Sequence, residues 1–383
     1  MHPKNSSYDY IICGAGCAGL SLAIHLIHSG KFTDKAILIV DQYPKRSNDR
    51  TWCFWESAPG LFESVVYKEW KLLHFYSNAF EKQLNPEPYT YKMIRGIDFY
   101  DHCLRIIGSQ PNFEFYVGKA GAISSTPNGV QVDVDDQSIN ATYAFNSILF
   151  EKPVLRKKDY WLSQHFKGWM IETPTDCFDV STATMMDFRI AQKGRTAFCY
   201  VLPVNSRKAL VEYTLFSKHL LQQQEYDEGL KEYISEWLKL DRYNIVDEEF
   251  GVIPMTNFRF ALNDGNCINI GTAGRQTKGS SGYTFTFIQK HSRQIVDSLI
   301  AGKFPLIKSR KRFHFYDTVL LGVLDHAPDA GGKIFTDLFR KNKPATVLKF
   351  LDNETTFGEE LQIMFTLPTF PFARAALKSG FTG

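Results

Sequence analysis

The 383-residue chain contains no Cys-x-x-Cys pair and no Cys/His spacing of zinc-ligand type; its seven cysteines are scattered between Cys13 and Cys267. Neither a disulfide framework nor a metal site is expected, and the location expected from such cysteine usage is a reducing, cytoplasmic one. No uninterrupted apolar run approaches the roughly 18 to 20 residues that a spanning helix needs, and no basic-then-apolar leader precedes Tyr8. Any contact with a membrane is therefore expected to be peripheral, from one side. Net charge is scarce as well: 44 Lys and Arg against 41 Asp and Glu leave +3, which recruits no nucleic acid. Basic clusters at Lys308, Arg310, Lys311, Arg312 and at Arg340, Lys341, Lys343 read as solvated faces, with a membrane-surface role as the other reading. Repeats and low-complexity linkers are also missing, so domains are expected to interleave in sequence. What remains is a composition 44% apolar, 22% charged and 14% aromatic, that of a folded chain of two to three folding units with room for an enclosed pocket. Nothing in it sets an oligomeric state.

The chain opens with Tyr-Asp-Tyr-Ile-Ile-Cys, then Gly14-Ala15-Gly16-Cys17-Ala18-Gly19, then a helical pattern through Leu22, Ala23, Leu26 and Ile27 that stops at Gly30. A second apolar run, Ala36 to Val40, closes with Asp41, 22 residues after Gly19, which is the βαβ spacing of a dinucleotide fold. Residues 42–51 are polar and unpatterned, and 51–91 are aromatic-rich and irregular, an excursion out of the nucleotide domain. A helix is expected from Asp98 to Ile107, with short strands at Phe113 to Val117, Val130 to Val134 and Ala144 to Phe150. Arg195 to Leu202 and Lys208 to Phe216 form a hairpin pattern, and Leu230, Tyr233, Ile234, Trp237 and Leu238 recur at helical period. Cys267 to Gly271 reads as a strand, Thr286 to Ile300 as a helix, and the rest from Lys303 as Phe-rich helices. The fold class expected is α/β: a Rossmann-type domain (1–50, 92–158, 262–302) interleaved with a mixed or antiparallel sheet domain (51–91, 159–261), then a helical region (303–383).

Gly14, Gly16 and Gly19 suit a tight strand-to-helix turn, close approach of a pyrophosphate to backbone N–H groups, and helix packing on the strand. Asp41 stands in the ribose-binding place. Which nucleotide binds is settled less directly, but Ile270-Gly271-Thr272-Ala273-Gly274, with Gly282-Tyr283 beyond, resembles the late segment that covers a flavin, so FAD is favoured over NAD. Thr272 stands where many flavoproteins carry Asp.

In Ala209-Leu210-Val211-Glu212-Tyr213-Thr214-Leu215-Phe216, alternation puts Leu210, Glu212, Thr214 and Phe216 on one face and Val211, Tyr213 and Leu215 on the other. Both faces are largely apolar, so Glu212 is expected to be poorly hydrated, with its pKa raised above about 4.3. It then either holds a proton for use as an acid or pairs with Arg189 or Arg207. Asp187 reads as sharing a strand face with Arg189 and pairing with it. Aromatic residues (Trp52, Phe54, Trp55, Trp161, Phe166, Trp169, Phe188, Tyr283) ordinarily form core, yet an aromatic cavity with one proton donor also suits carbocation chemistry. Phe365, Phe370 and Phe372 near the C-terminus are expected to pack on the body, a membrane-facing entrance being the other reading.

Together the segments resemble the flavoprotein lycopene cyclase family, most closely the bacterial β-cyclases. The match is carried by the Gly14 to Gly19 turn, Asn48-Asp49-Arg50-Thr51-Trp52-Cys53-Phe54-Trp55, Gly168-Trp169, Met186-Asp187-Phe188-Arg189, Val201-Leu202-Pro203, Leu210-Val211-Glu212-Tyr213-Thr214, Gly251-Val252-Ile253-Pro254-Met255 and Gly282-Tyr283. The resemblance implies non-redox closure of the ends of lycopene into β-ionone rings, with reduced FAD bound, NADPH as its reductant, Glu212 as general acid/base and Asp187 as a secondary candidate. Arg50, Gly271, Gly274, Gly282 and Tyr283 complete the residues expected at the cofactor. A departure lies at Lys278-Gly279-Ser280-Ser281, where the family often has a Pro-Thr-Thr type sequence. The competing expectation is an FAD-dependent oxidoreductase, a hydroxylase or polyprenyl reductase, acting on a hydrophobic isoprenoid.

Overall fold

The structure, a computed structural model, describes residues 3–308 and 310–380. Strand β1 (Ser7–Cys13), helix α1 (Cys17–Ser29) and β2 (Ile37–Asp41) form the opening unit. There follow β3 (Thr51–Glu56), β4 (Lys68–Trp70), β5 (Leu72–Ser77), β6 (Phe80–Leu84), β7 (Thr90–Arg95) and α2 (Gly96–Gly108). Next come β8 (Phe113–Val117), β9 (Ala120–Thr126), β10 (Gly129–Val134) and β11 (Gln137–Asn146). The central part holds β12 (Trp161–Glu172), β13 (Thr182–Asp187), β14 (Thr196–Asn205), β15 (Lys208–Ser217), α3 (Gln223–Glu236) and β16 (Asn244–Thr256). After β17 (Asn263–Asp264) and β18 (Cys267–Asn269) the chain is helical: α4 (Phe285–Ile300), α5 (Lys311–His326), α6 (Gly331–Lys341), α7 (Pro344–Leu351), α8 (Phe357–Thr366) and α9 (Thr369–Gly380).

The architecture is α/β with a Rossmann-type half. Strands β18, β11, β1, β2 and β8 lie side by side and parallel, with β1 and β2 joined by α1. Such strands, covered on both faces, read as continuous apolar runs; Ile11, Ile12, Leu38 and Ile39 are fully buried. A second, seven-stranded mixed sheet runs β16-β12-β15-β14-β13-β5-β6, and a small third sheet runs β3-β7-β4. Alternation divides β15 between two cores: Leu210 and Phe216 pack toward the C-terminal helices, while Val211, Tyr213 and Leu215 pack against α3.

Three expectations are corrected. The stretch 51–91 is not irregular but carries five strands. It lacks one period because its strands are short, three to six residues each, and are divided between the seven-stranded and the three-stranded sheet. The strand expected at Ala144 to Phe150 ends at Asn146, whose side chain turns the chain by accepting from Ile148 N and donating to Ile148 O. At the C-terminus Phe372 packs on the core, but Phe365 and Phe370 are 86% and 77% exposed, contrary to packing on the body.

Candidate active site

The three glycines of the first turn each answer a different constraint. Gly14 has φ +97°, and a Cβ there would meet Ser147 Oγ at 2.2 Å. A Cβ on Gly19 would lie 2.0 Å from the Gly14 carbonyl oxygen, so only glycine lets α1 close on β1. Gly16 caps α1, no side chain supplies a cap bond, and a Cβ there would have nothing within 4 Å. Open space therefore remains at the cap, flanked by buried Ala15, Cys17 and Ala18, and the first-turn N–H groups have no side-chain cap. Asp41 sits at the end of β2 and braces this turn: its carboxylate accepts from Ala15 N at 2.7 Å and Tyr43 N at 3.0 Å, with Lys45 at 3.3 Å.

The late glycine segment folds back onto the first. Gly271 (φ +61°) approaches so closely that a Cβ would meet Ala18 Cβ at 3.1 Å, and one on Gly274 would meet the Asn269 carbonyl at 2.1 Å. The unusual Lys278-Gly279-Ser280-Ser281 stretch is tied to α5: Lys278 Nζ and Ser280 Oγ both donate to Asp317, at 2.8 and 2.6 Å. Gly282 (φ +73°) lies against Gln164, and Tyr283 meets Trp55 edge-on at 4.6 Å.

Beside this loop is a cavity of about 300 Å³. Its floor is one face of the seven-stranded sheet, and its walls are β3, β7 and the loop ahead of α4. Arg50, Gly282, Tyr283 and Glu212 all line it, as do Trp52, Phe166, Tyr91 and Tyr200. Strand register sets the floor. Gly168 of β12 pairs with Glu212 of β15 on one side and with Glu249 of β16 on the other, so Glu249, Gly168 and Glu212 form one row on one face. The missing side chain at Gly168 leaves room for Glu249 and Leu210: a Cβ would lie 3.0 Å from Glu249 Cγ and from Leu210 Cδ1.

The two carboxyls are hydrogen-bonded to each other. Thr214 donates to Glu212 Oε1 at 2.5 Å, and Thr51 donates to Glu249 Oε2 at 2.6 Å. Burial, then the neighbouring charge of Glu249, raises the Glu212 carboxyl well above the usual carboxylate range. Burial also raises Glu249, but the Thr51 hydroxyl, the Glu212 proton and the charge of Arg50 offset part of that. The pair therefore holds one proton more firmly than either carboxyl would alone, with Glu212 raised the more clearly of the two.

Glu212 pairs with neither arginine considered for it: Arg207 lies 3.3 Å from Asp176, and Arg189 grips Asp187 through Nε (2.9 Å) and Nη2 (2.5 Å). Asp187 is fully buried, accepts also from Tyr233 Oη at 2.9 Å, and does not line this cavity. It shares a row with Cys199 and Tyr213, on the α3 face of the sheet, opposite to Glu212. A register shift between Thr184 and Asp187 turns it to that side. Glu249, by contrast, escapes sequence reasoning; its only signal is the alternation of Glu249, Gly251 and Ile253 along one strand.

A second cavity, of about 1020 Å³, shares Pro254, Thr272 and Thr277 with the first. Eight Lys and Arg side chains line it against three Asp and Glu, together with Phe258, Phe260, Phe287 and Phe313.

Residues 9–377 match the family described as lycopene cyclase protein. No curated protein matches the chain. Among solved structures, a geranylgeranyl bacteriochlorophyll reductase-like protein from Thermoplasma acidophilum aligns with TM-score 0.60 and 12% identity, over 97% of this chain and 95% of its own. A flavin-dependent brominase aligns with TM-score 0.62 and 11% identity, over 98% and 100%. A flavoprotein/dehydrogenase from Cytophaga hutchinsonii gives TM-score 0.62 and 11% identity, over 98% and 99%. At these identities the likeness is one of fold.

Proposed function

Because the chain belongs to the lycopene cyclase family, we propose that it closes the linear ends of lycopene into β-ionone rings, forming γ- or β-carotene, by proton-initiated chemistry at Glu212. The observation that carries this is a carboxyl raised well above the usual range by burial and by a second carboxyl, on the floor of an aromatic cavity bordered by the late glycine segment that packs on the nucleotide-type turn. An unperturbed Glu is protonated at pH 7 only against about 2.7 pH units, close to 4 kcal/mol; burial removes that obstacle before the reaction begins.

FAD fits the residues present. The open space above Gly16 and the uncapped α1 terminus suit a pyrophosphate, and Gln164 Oε1 and Ser281 Oγ in the cavity wall are buried polar atoms without partners. Gly14 to Gly19, Asp41, Arg50, Gly271, Gly274, Gly282 and Tyr283 would hold it. Bound and reduced, it supplies negative charge that stabilises a developing carbocation. Glu212 delivers its proton to the terminal double bond, leaving a tertiary cation. The neighbouring double bond then closes the six-membered ring, and loss of a ring proton gives the β end group. Tyr91, Tyr200 and Phe166 exclude water from the cation and offer it ring faces, worth about 0.5 to 2 kcal/mol each.

NADPH is the proposed reductant, and the larger cavity suits its phosphates and flat rings. There Arg259 hydrogen-bonds His314 and Arg275 the Phe260 carbonyl, rather than carboxylates. Phe357, Leu361 and Phe365 lie four residues apart on α8, exposed, Phe370 and Leu377 of the following helix α9 are exposed as well, and this is the proposed membrane-facing side, through which a carotenoid would arrive. No helix among the described residues is long and apolar enough to cross a membrane.

Anaerobic incubation of the protein with reduced FAD and lycopene in lipid vesicles tests the reading. Ring formation without net NADPH oxidation is expected; stoichiometric NADPH consumption would instead mark an oxidoreductase, and no conversion would refute both.

A further inference from the structure

Cyclisation gives the substrate one proton and removes another from a different carbon, so the site needs an acid and a base in the same cycle. We propose that Glu249 is the base: it takes the proton lost by the ring carbon and passes it back to Glu212, so that the pair resets itself without net exchange with solvent. The inference rests on the cyclase reading of the cavity and concerns how its proton is handled.

The geometry divides the work between the two carboxyls. Thr214 occupies Glu212 Oε1 and Thr51 occupies Glu249 Oε2, so each carboxyl keeps one oxygen uncommitted by those hydroxyls. The remaining oxygen of Glu249, Oε1, lies over Gly168, 3.3 Å from where a Cβ would stand, in the gap between the two strands that carry the acids. Glu212 then serves as donor and Glu249 as acceptor, and their mutual hydrogen bond is the path of return.

The other ionisable groups facing the cavity do not compete for this role. Cys53 of β3, Tyr91 of β7, Tyr200 of β14 and Tyr283 of the loop ahead of α4 are all raised by burial and stay protonated. Asp49, at the rim, is exposed and accepts from Tyr100 Oη at 2.8 Å. Arg50 contributes positive charge that favours ionised Glu249, and Asp247, on the same strand as Glu249, opposes it.

Atoms and electrons balance. The O–H bond of Glu212 breaks as a C–H bond forms at the terminal double bond; the second double bond's electrons make the ring C–C bond. The ring C–H bond then breaks, its electrons restore a C=C bond, and the proton goes to Glu249. Transfer from Glu249 to Glu212 restores the starting state, as an isomerisation requires.

The test compares full-length wild type with Glu249→Gln and Glu249→Asp, each loaded with reduced FAD, on lycopene in vesicles across pH 5 to 9. Wild type is expected to give a bell, its acid limb reporting ionised Glu249 and its alkaline limb protonated Glu212. Glu249→Gln is expected to lose about 10²- to 10⁴-fold in kcat at every pH, the contribution of a positioned base. Its acid limb should vanish and its alkaline limb move to lower pH, because Glu212 loses the charge that raised it. Glu249→Asp should recover part of the rate and the bell. Flavin content and apo-protein Tm near wild type show that the Gln variant is folded; should it not fold, the Asp variant's bell carries the test, and an Asp profile without an acid limb overturns the inference. A Gln variant with wild-type kcat at its own optimum would also overturn it and leave Glu212 as both acid and base. A wild type that forms no rings would refute the cyclase reading instead.

Discussion

Gly16→Val separates the cradle's fold from its ligand. Gly16 has φ −80° and extended ψ, which any residue adopts, and a Cβ there has no neighbour within 4 Å. The substitution should therefore change the stability of the flavin-free protein by no more than about 0.5 kcal/mol, under about 1 °C in Tm. What valine fills is the space above the first-turn N–H groups of α1. A phosphate there accepts charge-assisted hydrogen bonds worth about 1.5 to 3 kcal/mol each, and displacing it from two of them costs about 3 to 6 kcal/mol. That corresponds to roughly 10²- to 10⁴-fold weaker FAD binding. The assay is titration of apo-protein with FAD, followed by flavin fluorescence, beside thermal melts without flavin. Gly19→Ala provides the contrast: its Cβ would sit 2.0 Å from the Gly14 carbonyl, so it should damage the fold itself. A Gly16→Val protein that binds FAD like wild type would refute the assignment of this turn to the pyrophosphate.

Glu212→Gln should lower cyclisation by about 10²- to 10⁴-fold with flavin still bound. Because burial raises the folded-state pKa of Glu212, its contribution to stability is complete below the ordinary glutamate range and is lost as pH rises through the raised value. The Gln variant should therefore melt higher than wild type at pH 8, with the difference closing near pH 4; an unchanged Tm at pH 8 counts against a dry carboxyl. Asp187→Asn leaves Arg189, held between the Tyr76 and Trp237 rings at 3.9 and 4.5 Å, without its fully buried partner. A loss of about 3 to 5 kcal/mol in urea unfolding is expected, with kcat of the folded fraction little altered. Replacing Phe365 and Phe370 together by Asp should abolish co-sedimentation with anionic vesicles while Tm stays put; undiminished sedimentation would place the membrane-facing side elsewhere.

The opening β1-α1-β2 unit was legible because its signals are local: two apolar runs, three glycines at fixed offsets and an acid 22 residues on lie within about 35 residues. Alternation along β15 likewise revealed that Glu212 faces one core and Val211 the other, since period two is a property of the strand alone. Failures came where neighbours decide. The strands of 51–91 share no period because they are short and belong to two different sheets, and Phe365 and Phe370 are exposed rather than packed as core phenylalanines are.

Composition and local pattern thus determined the nucleotide-type turn, the α/β class and the face of β15 on which Glu212 lies. Only the tertiary structure decided which groups meet it. Asp187 was turned away by a single register shift in β13, and Glu249 was brought in from a strand 37 residues further along by pairing across Gly168. Register is set by contacts distant in sequence, and because side chains alternate at every residue, one position of slippage exchanges a cavity-facing side for a packed one.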